Sequence, residues 1–376
     1  MGPDITERLR ARQSEMIDQL AALVGVESPS SDLDRLADCA AVVSEIGEKV
    51  MGAPPDREVV DGRIHLVWRF GTEVKVALIG HYDTVWPAGT LERWPFAVDD
   101  QGRATGPGAF DMKAGIVQLF HAVACLPSPD GVTVVLTADE ELGSQTSRRL
   151  IESVAGGARA ALVLEPSARG ALKTARKGTS MYEVHAIGRS AHAGLEPEKG
   201  INATIELAHQ VLTVAAMGRP EIGTTVTPTV ASAGTTTNTV PAESVLHIDV
   251  RATEPDEQIR VDRAVRALAP SVPGAQLRIE GGINRPPLPA SSSAGLYALA
   301  ADVAGALGGR RPDGVAVGGA SDGNFTAGIG VPTLDGLGAD GDGAHAEGEY
   351  VVVSAMPERA ALVAGLIWAV LAGPDS

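Results

Sequence analysis

Apolar segments that end in metal-ligating side chains restrict the fold of this sequence more than any other feature. Val74–Gly80 is apolar and partly β-branched, which predicts a buried strand, and His81 and Asp83 follow it directly. Residues two apart on an extended chain point to the same face, and an imidazole beside a carboxylate often forms a metal ligand with its orienting group. Taken alone, the two residues are also explained by a strand-end histidine bonded to a turn aspartate.

The same pattern recurs at later points in the chain. The strand predicted over Val132–Thr137 is followed by Glu140 and Glu141, and the strand predicted over Ala160–Leu164 ends in Glu165. Helices are predicted between these strands, and in open α/β sheets of this kind ligands bind where the strands end. Polar residues at successive strand ends therefore predict a ligand site.

The chemistry of these side chains favours a divalent metal. The residues concerned are His81, Asp83, Asp111, Glu140, Glu141, Glu165 and, late in the chain, His345. Two imidazoles and at least three carboxylates suit Zn²⁺ or a similar ion, and they exceed what one tetrahedral site needs. A two-metal centre with one shared carboxylate would use all of them.

Asp111 is the best candidate for the shared carboxylate. It follows the turn Gly106-Pro-Gly108 at the start of a predicted helix, where both of its oxygens can point outward. Taken by itself, the same residue is also explained as the N-cap of that helix.

Glu140 and Glu141 form a pair of adjacent carboxylates after an apolar strand. Such carboxylates repel each other unless they share a cation or a proton. One of the two can bind a metal while its neighbour takes a proton from a water molecule and passes it to a leaving amine. An acidic turn on the protein surface is the alternative interpretation.

Composition and charge exclude several classes of partner. The chain has 376 residues and a formal charge of −16, with no lysine- or arginine-rich run, which argues against nucleic acid and anionic membranes. No segment approaches the ~18 consecutive apolar residues of a membrane span, and Met1–Leu23 lacks the apolar core of a signal peptide. Cys39 and Cys125 have no ligand spacing and suit a reducing compartment, so we expect a cytoplasmic protein.

The order of predicted elements changes after about Lys177. Segments between Ser180 and Glu280 are predicted as strand, helix, strand, strand, helix and strand, which is the order of a ferredoxin-like unit. Because alternating helices and strands resume afterwards, we interpret residues 178–284 as an inserted domain. Residues 1–177 and 285–376 would then form one catalytic domain.

The sequence resembles the M20 family of zinc metallopeptidases and amidohydrolases, and among its members mostly the glutamate carboxypeptidase group. The resemblance covers nearly the whole chain and rests on ordered segments: Gly80-His-Tyr-Asp-Thr-Val85, Gly106-Pro-Gly-Ala-Phe-Asp-Met-Lys113, Thr137-Ala-Asp-Glu-Glu-Leu-Gly143, Leu164-Glu-Pro166, Ser190-Ala-His-Ala-Gly194, Asn238-Thr-Val-Pro241 and His345. It implies an α/β, mixed-sheet zinc-exopeptidase domain with an inserted ferredoxin-like (βαββαβ) lid that mediates homodimerisation.

The resemblance also implies roles for the residues of the metal site. The implied ligands of two zinc ions, with Co²⁺ or Mn²⁺ as alternatives in one site, are His81, Asp111, Glu141, Glu165 and His345. Asp111 would bridge the two ions, Asp83 would orient His81, and Glu140 would be the general base. The peptide bond between Asp111 and Met112 would be cis.

Further residues are implied to contact the substrate. His192 matches a lid histidine that reaches an active site, commonly across the dimer, and Asn238 and Arg251 match lid residues that hold the substrate. From the residues alone, His192 is explained by a surface turn and Arg251 by an exposed strand position.

The loop 318–323 is implied to hold a carboxylate group of the substrate. Backbone N–H groups before a helix, including that of Gly319, can bind such an anion, and family members use this segment in that way. Arg285 and Lys177 are weaker candidates for a second carboxylate. An N-cap at Ser321 or Asp322 is the ordinary explanation of the loop.

The function expected from all these features is zinc-dependent hydrolysis of an amide bond. The substrate would be a small peptide or N-acyl amino acid with a free carboxylate, and the enzyme would release a C-terminal amino acid like a glutamate carboxypeptidase. An N-acyl-amino-acid deacylase would use the same ligands and the same base. A non-catalytic binding protein on this scaffold is the alternative from another class, and it would be expected to lack the base or a ligand.

Overall fold

Helices and strands alternate in the first part of the chain. In the computed structural model, which describes residues 4–373, the helices up to residue 176 are α1 (Asp4–Arg10), α2 (Gln13–Val24), α3 (Leu33–Met51), α4 (Thr90–Arg93), α5 (Ala114–Ala124) and α6 (Arg148–Ala155). The strands are β1 (Asp56–Val60), β2 (Arg63–Phe70), β3 (Val76–His81), β4 (Ala97–Val98), β5 (Arg103–Thr105), β6 (Val132–Thr137), β7 (Ala160–Val163) and β8 (Leu172–Arg176). The outermost parts of the predicted catalytic domain, residues 1–3 and 374–376, lie outside the described residues.

The remaining elements follow in two groups. The middle of the chain contains β9 (Gly178–Ile187), β10 (Ala191–His192), α7 (Ala203–Ala215), β11 (Thr225–Ala233), β12 (Thr239–Val240), β13 (Glu243–Ala252), α8 (Pro255–Arg266) and β14 (Gln276–Arg285). The last part contains α9 (Ala290–Ala306), β15 (Gly314–Val317), α10 (Gly323–Gly328), β16 (Thr333–Leu334), β17 (Gly341–Asp342), β18 (Tyr350–Val352) and α11 (Met356–Ala372).

The contacts between residues divide the chain into two compact units. Unit 1 comprises Met1–Ala175, Leu288–Val317 and Ser321–Ser376, and unit 2 comprises Arg176–Pro287 with Gly318–Ala320. The sequence-based insertion, residues 178–284, lies inside unit 2. Its role as a lid and dimerisation domain stays a prediction.

A mixed sheet of six strands forms the centre of unit 1, in the order β1-β2-β6-β3-β7-β16. β1, β2 and β6 are antiparallel neighbours, whereas β6, β3, β7 and β16 run parallel. Val76 and Leu78 of β3 pack into a core with α5 and α11, and Ala77 and Ile79 pack on the other face with α6 and α10. Because β3 is covered on both faces, its sequence is continuously apolar rather than alternating. The predicted fold class, a mixed-sheet α/β protein, is confirmed.

The C-terminal helix is part of the larger core. Residues Val353–Ala372 form the one segment, among the described residues, that is long and apolar enough to cross a membrane, and 61% of its apolar window is buried. The sequence predicted no such segment, and Glu358 and Arg359 interrupt the apolar run of this one. It packs against α5, α9 and α1, as expected of a central helix in a globular core.

Unit 2 is built around an antiparallel sheet in the order β11-β13-β9-β14. Alternate residues of these strands, such as Tyr182, Leu246 and Val250, form a core with Val261 of α8 and Val214 of α7. Together with α7 and α8 the four strands have the predicted βαββαβ order. The opposite face of β9 carries Glu183 and His185 together with the exposed apolar residues Met181 and Ile187.

One buried histidine lies in the core of unit 1, outside the predicted site. His121 of α5 is fully buried, and its Nε2 atom lies 2.8 Å from Oε1 of Gln19. Its Nδ1 atom is buried and has no hydrogen-bond partner among residues 4–373. Burial, with a smaller effect of Arg12, lowers the pKa of His121 to about 4.

This histidine should make the protein less stable in acid. Between the ordinary pKa near 6.5 and about pH 4, the unfolded chain binds a proton that the folded chain does not, so the free energy of unfolding falls as pH decreases. Between pH 7.5 and 4, His121 should lower the free energy of unfolding of the wild type by up to about 3 kcal/mol. His121→Gln should remove this contribution. Denaturant unfolding of both proteins at several pH values measures it, and parallel pH dependences would contradict the assignment.

Candidate metal centre

Three parallel strands bring the predicted residues to one edge of the sheet. β3 lies between β6 and β7, with His81 opposite Thr137 in the register. The segments that leave these strands carry Glu140, Glu141 and Glu165. Because neighbouring parallel strands end on the same side, the side chains meet there although up to 84 residues separate them along the chain (165 − 81).

His81 is held in one orientation by its own turn. Its Nδ1 atom lies 3.0 Å from the backbone oxygen of Asp83 and 3.4 Å from that residue's Oδ1. A carbonyl oxygen can only accept, so Nδ1 carries a proton and Nε2 is left to bind a cation. Nε2 lies 3.3 Å from Oδ1 of Asp111 and 3.5 Å from Oε1 of Glu165.

Asp111 directs one oxygen toward each of two histidines. Its Oδ1 atom faces His81, and its Oδ2 atom lies 3.4 Å from Nε2 of His345. The same nitrogen of His345 lies 3.1 Å from Oε1 of Glu141. The donor atoms thus form two groups, His81-Asp111-Glu165 and Asp111-Glu141-His345, each with all atoms within 4.8 Å and with Asp111 in both.

The charges of these groups suit a cation. Burial opposes charge on His81, but Asp111, Asp83 and Glu165 outweigh it and raise its pKa well above the usual value. Hydrogen bonds to Asp111 and Glu141 raise the pKa of His345 to about 10. The carboxylates therefore favour a positive charge at both imidazoles, and a bound divalent cation can supply it in place of protons.

One oxygen atom without a hydrogen bond shows whether a metal ion would fit this site. Oδ1 of Asp111 is buried and accepts no hydrogen bond within the described part of the chain. Buried carboxylate oxygens normally have a partner, so a divalent ion between Asp111 and His81 would satisfy this atom. Imidazole and carboxylate donors are a set that Zn²⁺ accepts readily.

Asp83 connects the histidine to the adjacent carboxylates. It is fully buried, and its Oδ2 atom accepts a hydrogen bond of 2.7 Å from the hydroxyl of Ser30. Its oxygens also accept the backbone N–H groups of Glu140 and Glu141, each at 3.2 Å. Asp83 therefore fixes the turn that carries the predicted base, a role that sequence reasoning did not assign. Glu140 itself is only 8% exposed.

Glu349 is a buried residue of the site that sequence reasoning missed. Its Oε1 atom accepts the indole N–H of Trp86 at 3.0 Å and the backbone N–H of Gly108, and its Oε2 accepts that of Asp111 at 3.3 Å. Burial raises the pKa of Glu349 to about 7. The predicted cis peptide bond between Asp111 and Met112 is present in the same segment. Only its place four residues after His345 could have drawn attention to Glu349.

Small residues allow the segment around Asp111 to pack tightly. A Cβ atom on Gly115, at the start of α5, would overlap the backbone oxygen of Leu164, which directly follows β7. Gly108 has φ +73° and faces the methyl group of Thr84, so a side chain would clash there as well. These two glycines let the turn with Asp111 approach the strand ends.

Unit 2 holds His192 in a defined tautomer. Its Nδ1 atom accepts the backbone N–H groups of Gly194 and Leu195, each at 3.1 Å. The proton of the neutral ring is therefore on Nε2, which makes this exposed atom a hydrogen-bond donor. A bond of 2.8 Å from the N–H of Ala193 to the backbone oxygen of Asn238 holds the two predicted lid residues together.

Arg251 is half-buried and already forms hydrogen bonds with Asp249 and Thr179. Its Nε and Nη2 atoms donate to Asp249, and its Nη1 donates to the hydroxyl of Thr179 at 2.9 Å. A guanidinium has five N–H groups, so two of them (5 − 3) have no partner among the described residues.

The other residues predicted to bind substrate are Arg285, Lys177 and the loop 318–323. Arg285 is buried, with 7% of its surface exposed, and Lys177 donates to the backbone oxygen of Gly223 at 2.7 Å. The backbone oxygen of Gly319 accepts a bond of 3.0 Å from Arg176. Ser321 donates its N–H to Asn324 rather than leaving it free for an anion. The substrate roles of these residues stay predictions.

Several known proteins are similar in sequence to this chain. Carboxypeptidase G2 of Pseudomonas sp. strain RS-16 is 29% identical over 380 residues, which cover 96% of this chain and 90% of that protein. Acetylornithine deacetylase of Myxococcus xanthus is 33% identical over 154 residues, which cover 37% of this chain and 38% of that protein.

Solved structures share the fold at lower identity. The M20 family metallo-carboxypeptidase Sso-CP2 of Sulfolobus solfataricus has a TM-score of 0.73 at 16% identity, covering 94% of this chain and 98% of that one. Aminopeptidase PepT of Bacillus cereus has a TM-score of 0.71 at 21% identity, covering 96% of this chain and 99% of that one. The model of Peptidase family M20/M25/M40 matches residues 77–369. Because that match spans most of the sequence, this chain belongs to Peptidase family M20/M25/M40 and is a metal-dependent hydrolase.

Proposed function

We propose that this hydrolase cleaves the amide bond of a peptide with two zinc ions and releases a C-terminal amino acid. The observation that carries the proposal is the carboxylate of Asp111, whose two oxygens face His81 and His345 respectively. A shared carboxylate of this kind suits a pair of ions rather than one. The full-length similarity to carboxypeptidase G2 supports the choice of reaction.

The proposed ligands follow from the two groups of donors. His81, Asp111 and Glu165 would hold one ion, and Asp111, Glu141 and His345 would hold the other. When bound, zinc would lower the pKa of a water molecule and polarise the carbonyl of the substrate. Co²⁺ or Mn²⁺ in one position is compatible with the same donors.

Glu140 would act as the general base. It follows β6 in a turn whose backbone is fixed by Asp83, and its side chain is largely buried beside the proposed ligand Glu141. A carboxylate in this position would take the proton of the attacking water and transfer it to the leaving amine.

His192 would stabilise the negative charge that develops on the carbonyl oxygen. Its Nε2–H is a donor because two backbone N–H groups occupy Nδ1. We propose that this donor serves the active site of a second subunit in a homodimer formed through the lid domain. The exposure of His192 and the acceptor role of its Nδ1 atom support this role.

The free carboxylate of the substrate would be bound by lid residues. Arg251 has two N–H groups without a partner in the described part of the chain, and its pairing with Asp249 keeps the guanidinium in place. Asn238, Gly319 and Arg285 are the further groups proposed for this contact. A cytoplasmic location is part of the proposal, and the unpaired, buried Cys39 and Cys125 support it.

A substrate panel with a Glu140→Gln variant tests the reaction and the base together. Peptides that end in glutamate or aspartate should be hydrolysed faster than N-acetyl or N-succinyl amino acids, and the variant should lose roughly 10²–10⁴-fold in kcat. Both proteins should retain the same metal content, measured by elemental analysis. Glu48→Gln, on the exposed face of α3, is the control.

Two outcomes would contradict parts of this proposal separately. Full activity of Glu140→Gln would exclude Glu140 as the base. Faster hydrolysis of the N-acyl amino acids would instead identify a deacylase with the same metal site.

Mixing two inactive variants tests the role of His192 across a dimer. If His192 acts on the partner subunit, heterodimers of Glu140→Gln and His192→Ala contain one site with both groups intact. Random mixing should then restore about a quarter of wild-type activity. No recovery, with dimers verified by light scattering, would contradict action between subunits.

The position of Asp111 should depend on Glu349. In Glu349→Gln an amide NH₂ replaces an oxygen that accepts N–H donors, so the segment around Asp111 should shift. We expect metal affinity to fall roughly 10–100-fold, measured by competition with a chelator. Trp86→Phe removes only the indole donor and should have a smaller effect. Equal affinity of Glu349→Gln and wild type would contradict this dependence.

A further inference from the structure

A second cluster of metal-ligating side chains lies on the sheet of unit 2. Glu183 and His185 of β9 are two residues apart and share a face, opposite the face that packs against α7 and α8. Glu280 of β14 is paired with Glu183 across the strands, and His247 of β13 is paired with it on the other side. One row across three strands therefore carries His247, Glu183 and Glu280. The imidazole of His185 lies beside this row, two residues along β9.

The donor atoms converge at distances typical of a coordination shell. Nε2 of His185 lies 3.4 Å from Oε2 of Glu183 and 3.8 Å from Oε2 of Glu280. Nδ1 of His247 lies 3.6 Å from the other oxygen of Glu183. Ligands about 2.0–2.1 Å from a tetrahedral ion are about 3.3 Å apart, so small side-chain movements would complete such a shell.

His185 provides an independent indication of a missing partner. Its Nε2 atom is buried and forms no hydrogen bond within residues 4–373, although it points between two carboxylates. Its side chain is only 18% exposed. A buried polar atom without a bond is costly, and a cation at this point would satisfy it together with both carboxylates.

We propose that Glu183, His185 and Glu280 bind a divalent cation of the Zn²⁺ type, separate from the proposed catalytic ions. The three donor atoms lie within 4.8 Å of one another. One imidazole and two carboxylates suit Zn²⁺, Co²⁺ or Mn²⁺, and His247 is the nearest further donor. The ion joins β9 to β14 and so cross-links the centre of this sheet to its edge.

Arg278 sets the strength of this site. Its guanidinium contacts Oε1 of Glu280, and it is paired with His185 across the strands. This positive charge balances Glu280 without a metal and opposes the approach of a cation. Because 55% of the Arg278 side chain is exposed, it can move into solvent when the ion binds. The site therefore binds metal more weakly than a centre without a neighbouring cation.

Equilibrium dialysis of the full chain against micromolar free zinc tests the site. Elemental analysis should find one zinc equivalent per chain more in the wild type than in the variant His185→Ala/Glu280→Gln. His209→Ala, an exposed histidine of α7 outside the cluster, should bind as much zinc as the wild type. Hydrolytic activity should be equal in all three proteins, which verifies folding.

Equal zinc content in the wild type and the double variant would overturn the proposal. The single variant Glu183→Gln repeats the test with a smaller change if the double variant loses activity. Arg278→Gln should bind this additional equivalent up to about fivefold more tightly, and unchanged affinity would also count against the site. Because the readout is a difference of one equivalent, it does not depend on how many ions the catalytic centre holds.

Discussion

The shared carboxylate of Asp111 is the constraint on which the candidate metal centre depends. Each of its oxygens faces a different histidine, so removing this one side chain would disconnect both donor groups. Concentrating carboxylates around two imidazoles is unfavourable without compensating positive charge, as the raised pKa values of His81 and His345 indicate. A site of this composition is therefore organised for cations.

The fold supplies that carboxylate with rigid support from both sides. Parallel pairing of β3, β6 and β7 brings His81, Glu141 and Glu165 to one edge, because the strands end together. Glu349 holds the backbone of Asp111, and Asp83 holds the turn of Glu140 and Glu141. Buried carboxylates behind the ligands thus orient residues that the sheet alone only brings near each other.

Much of this arrangement was predictable because strand ends have a clear local signature. The continuous apolar run of β3 and the polar residues after it pointed to His81, and the same reasoning pointed to Glu165 and to the pair Glu140 and Glu141. The choice of Glu141 as the ligand of that pair came from the resemblance to the family. His345, by contrast, follows no apolar strand and lies in a turn, where its own φ is +62°. It was assigned mainly through the resemblance to the family.

Long-range contacts explain what the sequence did not reveal. Glu349 lies 238 residues from Asp111, and no periodicity links a buried carboxylate to the backbone that it holds. The short strands β4, β5, β17 and β18 pair only with one another, so their segments lack any amphipathic pattern. The cluster of Glu183, His185 and Glu280 likewise becomes visible only when β9 and β14 are paired.

Anomalous diffraction at the zinc edge, from crystals of the zinc-loaded protein, tests the central claim most directly. The account predicts two peaks at the edge of the unit 1 sheet, one beside His81 and Glu165 and one beside Glu141 and His345, with an oxygen of Asp111 bound to each. A single peak there, or two peaks of which one is not bound by Asp111, would contradict it.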